Sequence, residues 1–254
     1  MSDAVELSLT QAPSHALVAS CITADRFAAL DTKAIAALPV LHGGRPAQLG
    51  DFWRVRGGRA GTLRLEGDLD RVEGIGTAMT GGEILIAGNA GRDLGVALAG
   101  GRIEVRGSAG DNAGGARPGA ARGMTGGEIV IRRSAGEGVG ARMRRGLVVV
   151  VGDAGVGAAR GMIAGTALLG ARAGPGAGRF LKRGSIIAFG PLERPATFRY
   201  ACTYQPPHVP LLLRYLRRRY GLEIAESYIT GRYARYAGDM AELGKGEILQ
   251  WVGS

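Results

Sequence analysis

Glycine recurs through the middle of this chain at a fixed interval, and that interval limits the possible folds more than any other feature. The doublets Gly81-Gly82, Gly100-Gly101 and Gly126-Gly127 are followed by Gly146, Gly165 and Gly184. Counted from the last glycine of each marker, the spacings are 19, 26, 19, 19 and 19. A second marker keeps the same register: Ala90-Gly91, Ala109-Gly110, Ala135-Gly136, Ala154-Gly155 and Ala173-Gly174. Such a period signals a solenoid, in which each repeat buries its face only against its neighbours. Collagen is excluded because glycine does not fall at every third position. A disordered linker is excluded because apolar residues make up 46% of the chain and are regularly spaced.

Each marker is followed by a short apolar strand, predicted at 62–65, 83–86, 102–105, 128–131, 147–150, 166–169 and 185–188. The second positions are Leu63, Ile84, Ile103, Ile129, Val148, Ala167 and Ile186, and the fourth are Leu65, Ile86, Val105, Ile131, Val150, Leu169 and Ala188. Strand alternation places both columns on one side of the pleat, and stacking at about 4.8 Å per coil makes them continuous interior ladders. A third ladder stands three residues before each marker: Met79, Leu98, Met124, Met143, Met162 and Leu181. Unbranched thioethers fill irregular gaps, so this methionine stripe reads as core rather than as a metal site. Glycine serves the corners, where positive φ and close coil stacking leave no room for a side chain. The predicted fold is mainly β: a right-handed single-stranded parallel β-helix of about seven 19-residue coils spanning 61–190. Short helical segments flank it at 1–60 and 191–254. Left-handed hexapeptide coils advance by about 18 residues per turn, and calcium-binding coils need an aspartate at every turn; neither matches.

In the first flank, Thr23 or Asp25 caps a predicted helix through Leu30, and Asp31 caps a second that ends before Pro39. Residues 49–56 read as a strand leading into the first coil. In the last flank, Pro210 opens a predicted helix that Gly221 closes, expected to cap the open end of the solenoid. The run Arg214-Tyr215-Leu216-Arg217-Arg218-Arg219-Tyr220 interleaves arginine and tyrosine as a nucleic-acid patch does, but helical spacing separates the two residue types onto different faces.

The net charge is +10, with Lys33, Lys182 and Lys245 the only lysines. Such a field attracts polyanions, and it equally reflects an arginine-rich composition bias. Cys21 and Cys202 stand apart with no CxxC or nearby histidine; both read as small core residues of a protein in a reducing cytoplasm. The opening MSDAVELSLT lacks a basic stretch, so no secretory signal is expected, and no apolar run is long enough to span a membrane. His15, His42 and His208 are scattered through the flanks, and no nucleophile elbow, phosphate loop or zinc helix is present. No catalytic, cofactor-binding or metal-ligating residue is expected.

The third strand positions point outward, and Val130, Val149, Leu168 and Ile187 among them are apolar. That face is expected to lie under the terminal segments or under another chain, which makes Val149, Leu168 and Ile187 candidate partner contacts. Residues 116–122 form the one insertion, expected as a surface or binding loop on a single coil.

The repeat, with Met79-Thr80-Gly81-Gly82, Met124-Thr125-Gly126-Gly127 and the Gly-x-Ala-Gly corners, resembles the glycine-rich β-helix shared by the glutamate synthase large subunit and the C subunit of formylmethanofuran dehydrogenase. The flanking Leu49-Gly50-Asp51-Phe52-Trp53-Arg54-Val55 and Gly238-Asp239 with Gly244-Lys245-Gly246-Glu247 resemble the C subunit of that enzyme and of the related formyltransferase/hydrolase complex. Glutamate synthase would need an amidotransferase domain and a flavin barrel, which 60 residues do not hold. The resemblance implies a non-catalytic scaffold subunit in one-carbon metabolism. Its implied partners are an amidohydrolase-like subunit, a molybdopterin-subunit-like chain and a formyltransferase subunit. Zinc is implied in partner subunits, and a metal-pterin only in the archaeal version; the alanine- and arginine-rich composition points to the bacterial one. Carriers of the methanofuran type have glutamate-rich tails, for which Arg117, Arg122, Arg142, Arg144 and Arg145 are candidate contacts. The competing expectation is a free-standing basic module for nucleic acid or another polyanion, with salt-dependent affinity and no co-purifying subunits.

Overall fold

In the computed structural model, which describes residues 4–253, short strands alternate with glycine corners along most of the chain. Met1, Ser2 and Asp3, on which the leader expectation partly rests, lie outside the described residues. The first segment contains β1 (Val5–Leu9), β2 (Leu17–Val18), α1 (Ala24–Phe27), α2 (Thr32–Ala36), β3 (Pro39–His42), β4 (Arg45–Gln48) and β5 (Trp53–Arg56). The predicted strands then appear as β6 (Thr62–Glu66), β8 (Glu83–Ile86), β9 (Arg102–Val105), β10 (Glu128–Ile131), β11 (Leu147–Val150), β12 (Thr166–Leu169) and β13 (Arg183–Ala188), with the short β7 (Val72–Glu73) between the first two. The last segment holds β14 (Arg199–Tyr204), α3 (His208–Tyr220), α4 (Glu226–Thr230), β15 (Arg232–Gly238) and β16 (Lys245–Gly253).

The molecule is mainly β, dominated by a mixed sheet of 12 strands in the order β14-β15-β16-β13-β12-β11-β10-β9-β8-β6-β1-β5. Each repeat strand pairs in parallel with the next at the register the glycine markers predict: Ile84 faces Ile103, and Ile129 faces Val148. A second parallel column runs through single bridges Ala90, Ala109, Ala135, Ala154, Ala173 and Leu192. The three predicted ladders are buried, and all their members but Ala188 belong to one core, which runs from Val5 to Ile248. Between these columns every repeat but the one with the insertion makes a tight turn in which the ladder residue's N–H donates to the carbonyl three residues earlier, as from Leu98 to Gly95 (3.0 Å) and Met143 to Gly140 (3.2 Å).

The ends differ from the sequence expectation. Residues 49–51 form a 3-10 turn, and β5 does not lead directly into the stack; it lies antiparallel on β1 at the sheet's far edge. It is β1 that extends the stack, in parallel with β6. A second sheet, β4-β3-β2-β7, continues the other side at this end. At the opposite end the cap is made of strands, not helices: β16 pairs in parallel with β13, and β15 and β14 follow antiparallel. Asp31 caps α2 as expected, accepting from Ala34 N–H at 2.8 Å, and Gly221 ends α3 in the left-handed region at φ 61°.

Helix α3 lies across the outer face of the sheet. Val130, Val149, Leu168 and Ile187 are sealed beneath Val209, Leu213, Leu216 and Tyr220. Val149, Leu168 and Ile187 are 0%, 3% and 0% exposed, so the chain's own tail covers them and they are not free for a partner. The cause is the amphipathic face of α3, whose apolar side needs a cover that the sheet supplies. A polar rim fastens it. Glu128 accepts from Tyr215 (2.9 and 2.8 Å) and from Tyr220, and pairs with Arg102 at 3.5 Å. Arg219 meets Glu83 at 2.6 Å, and Arg217 meets Glu226 at 2.8 Å. Two arginines of the suggestive run are thus committed within the chain. Cys21 is buried, but Cys202 is exposed on β14, contrary to its reading as a core residue.

Candidate functional site

The five candidate arginines do not gather at one point. On the turn side of successive repeats Arg122, Arg160 and Arg179 share one column, whose member in the repeat between Arg122 and Arg160 is Ala141, and Arg142 stands one position beside it. Arg142, Arg160, Phe180 and Lys182 line a cleft of about 770 Å³, with Glu137 and Glu242 also on its walls. The guanidinium groups of Arg160 and Arg179 lie 5.8 and 4.9 Å from the centre of the Phe180 ring. Lys182 is 3.8 Å from Glu242. Arg144 is half-buried and Arg145 exposed at the corner before β11, and two coils further on the same columns carry Lys182 and Arg183. Among the described residues none of Arg117, Arg122, Arg142, Arg144 and Arg145 makes an ion pair, whereas seven such pairs occur elsewhere. Sequence reasoning misses Arg160 and Arg179, although the 19-residue register puts them in one column with Arg122.

Arg117 stands apart from this row. It lines a groove of about 920 Å³ between the insertion, the turns at Thr77 and Ala78, and the N-terminal layer. Helix α1 supplies Asp25 and Arg26, and β3 and β4 supply Val40, Leu41 and Pro46. Partial burial raises the Asp25 pKa, but hydrogen bonds from the side chains of Thr23 and Thr80 and the backbones of Thr80 and Arg26 outweigh it and hold the carboxyl at about 2. Thr80 donates to it through Oγ1 at 2.6 Å and N–H at 3.0 Å. At the inner wall, burial pushes the Cys21 thiol up to about 11, so at neutral pH it is a protonated apolar group and a poor nucleophile.

Of the scattered histidines, His15 and His42 meet with ring centroids 5.6 Å apart, and Ser14 Oγ reaches both. Among the described residues no three His, Cys, Asp or Glu side chains converge as a metal site, and no helix is long and apolar enough to cross a membrane.

No protein-family model and no curated protein sequence matches the chain. A solved structure does. A chain of the formyltransferase/hydrolase complex of Methylorubrum extorquens, crystallised with methylofuran, is 31% identical and superposes with a TM-score of 0.81. The alignment covers 96% of this chain and 98% of that one. Identity at that level over both lengths means that this chain belongs to the family of formyltransferase/hydrolase complex subunits.

Proposed function

We propose that this chain is the C subunit of such a complex: a right-handed parallel β-helix that catalyses nothing itself and holds catalytic subunits in place. The observation that carries the reading is the near-complete mutual coverage with one chain of a multi-subunit assembly. The stacked parallel strands and the second bridge column support the helical coil, because each recurs one period apart. The expected partners are an amidohydrolase-like subunit, a molybdopterin-subunit-like chain and a formyltransferase subunit, in the cytoplasm, with any zinc held by the partners. In this reading the turn-side arginines, Arg122, Arg142, Arg160 and Arg179, guide an acidic carrier of the methylofuran type between active sites. Pulling the tagged chain from its host and identifying what accompanies it tests the assignment. Those subunits should be recovered in constant ratio; a chain recovered alone overturns it. Reversing Arg142 and Arg160 to glutamate should raise KM for the carrier at low salt, and an unchanged KM would remove the guiding role.

A further inference from the structure

The insertion breaks a period that the rest of the stack keeps, and it does so at one place without disturbing the turn around it. In five coils the ladder N–H donates to the carbonyl three residues earlier. In the sixth, Met124 N–H makes the same bond to Gly114 at 3.1 Å across the seven added residues. The loop leaves after Gly115 and returns at Gly123, its two feet held together by the repeat's own turn. It is also tied down: Asn112 Nδ2 donates to the Ala116 carbonyl (3.1 Å), and Arg142 Nη1 to that of Ala120 (2.8 Å). A loop that served only as tolerated excess would need neither tether. What it delivers is Arg117, to the rim of the groove whose other guanidinium is Arg26.

The groove walls suit a polypeptide. Val40, Leu41, Pro46 and Leu30 give it apolar sides, and Leu41 is 43% exposed, the largest exposed apolar side chain on this sheet. Asp25 already accepts hydrogen bonds from Thr23, Thr80 and Arg26 within the chain, which leaves the two arginines as the uncommitted charges. The groove is largely open to solvent, unlike a small-molecule pocket that encloses most of its ligand. A second copy of the chain is disfavoured by the +10 charge it would bring to two further arginines.

Resting on the proposed reading of the chain as a complex subunit, we propose that this groove docks an extended segment of a partner subunit in which an apolar side chain lies between acidic residues. The test uses the assembled complex with three full-chain variants: R26E/R117E, R26K/R117K, and a deletion of residues 116–122 that rejoins Gly115 to Gly123. Dissociation is followed by sedimentation at several salt concentrations, and amide exchange is compared between the free chain and the complex. Charge reversal and deletion should each weaken assembly by about tenfold or more, the lysine variant should stay within about twofold of the parent, and the groove amides should be protected in the complex. Retention of the parent's melting temperature by the deletion shows that its effect is on docking. Unchanged assembly in both disruptive variants overturns the proposal while leaving the subunit assignment intact. A change in carrier KM with unaltered assembly overturns it in favour of a small-molecule groove. Recovery of no partner at all removes both.

Discussion

Replacing Gly146 by alanine tests the stacking geometry directly. Its φ is +102°, and a Cβ there would lie 2.6 Å from the carbonyl oxygen of Gly127 one coil below. That oxygen already accepts from Leu147 N–H at 3.1 Å. Restoring an ordinary carbon–oxygen separation parts the coils by roughly 0.6 Å, which stretches this bond beyond useful length and costs about 1 kcal/mol. The backbone conformation adds about 1–2 kcal/mol for a residue with a side chain. Dispersion attraction forfeited around the opened corner brings the expected total to about 2–4 kcal/mol. Gly165 occupies the equivalent corner at φ +110°, yet its Cβ would meet the Gly146 oxygen at 3.1 Å and the flexible end of Met143 at 3.0 Å. Gly165→Ala should therefore cost only the conformational part, about 1–2 kcal/mol. Gly81, where a Cβ meets nothing within 4 Å, serves as the control and should change stability by less than about 0.5 kcal/mol. Urea unfolding at constant m-value resolves these differences. Equal costs at Gly146 and Gly165, or a cost below about 1 kcal/mol at Gly146, would refute the stacking argument.

Met162→Ala removes a fully buried member of the third ladder and should cost about 2–5 kcal/mol, measured in the same urea assay. Glu128→Gln weakens the acceptor shared by Tyr215, Tyr220 and Arg102, and should lower stability by about 1–3 kcal/mol and speed proteolysis within 205–230 before the coils are cut. The Asp25 carboxyl is held below its unfolded value, so its contribution is present above about pH 4 and is lost as pH falls toward about 2. Asp25→Asn, discounted for the site's exposure, should cost about 1 kcal/mol at pH 7 and nothing near pH 2, read from melting curves across pH. Native thiol titration should find one fast cysteine, Cys202, and one slow, Cys21, whose buried thiol stays protonated until about pH 11; two fast thiols would contradict the burial of Cys21.

What is legible in the sequence is what the repeat repeats. Strand positions 83–86, 102–105, 128–131, 147–150 and 166–169 coincide with those observed, because a fixed period and an alternating pattern report the same local geometry many times over. The C-terminal strands are hidden for the opposite reason. Strand β16 pairs with β13 about 60 residues away, and Lys245-Gly246-Glu247 gives its first half no apolar alternation. Strand β1 does alternate, but nothing local says that its partner is β6 rather than a neighbour in sequence. The apolar outer positions announce that they are covered, while their pattern does not distinguish the chain's own tail from a partner. The arginine row is half visible: Arg122 and Arg142 stand out beside the insertion, while Arg160 and Arg179 emerge only once the turn columns are aligned. The groove around Arg117 is illegible, since it joins three segments that meet only in the fold.

The tail that seals the outer face also sets the order in which the chain can be made safely. Val149, Leu168 and Ile187 leave the ribosome before α3 does, and Ile187 precedes Tyr220 by 33 residues. At about 5–20 residues per second, the youngest part of that apolar strip stays uncovered for roughly 2–7 s, and its older coils for longer. Parallel strands one period apart can zip up during that interval, but they do so with a bare hydrophobic stripe and a growing strand edge facing solvent. Truncations that end between β13 and α3 should therefore be insoluble even though every coil is complete, and a chaperone that binds exposed aliphatic strips should be found on this chain only while it is being synthesised.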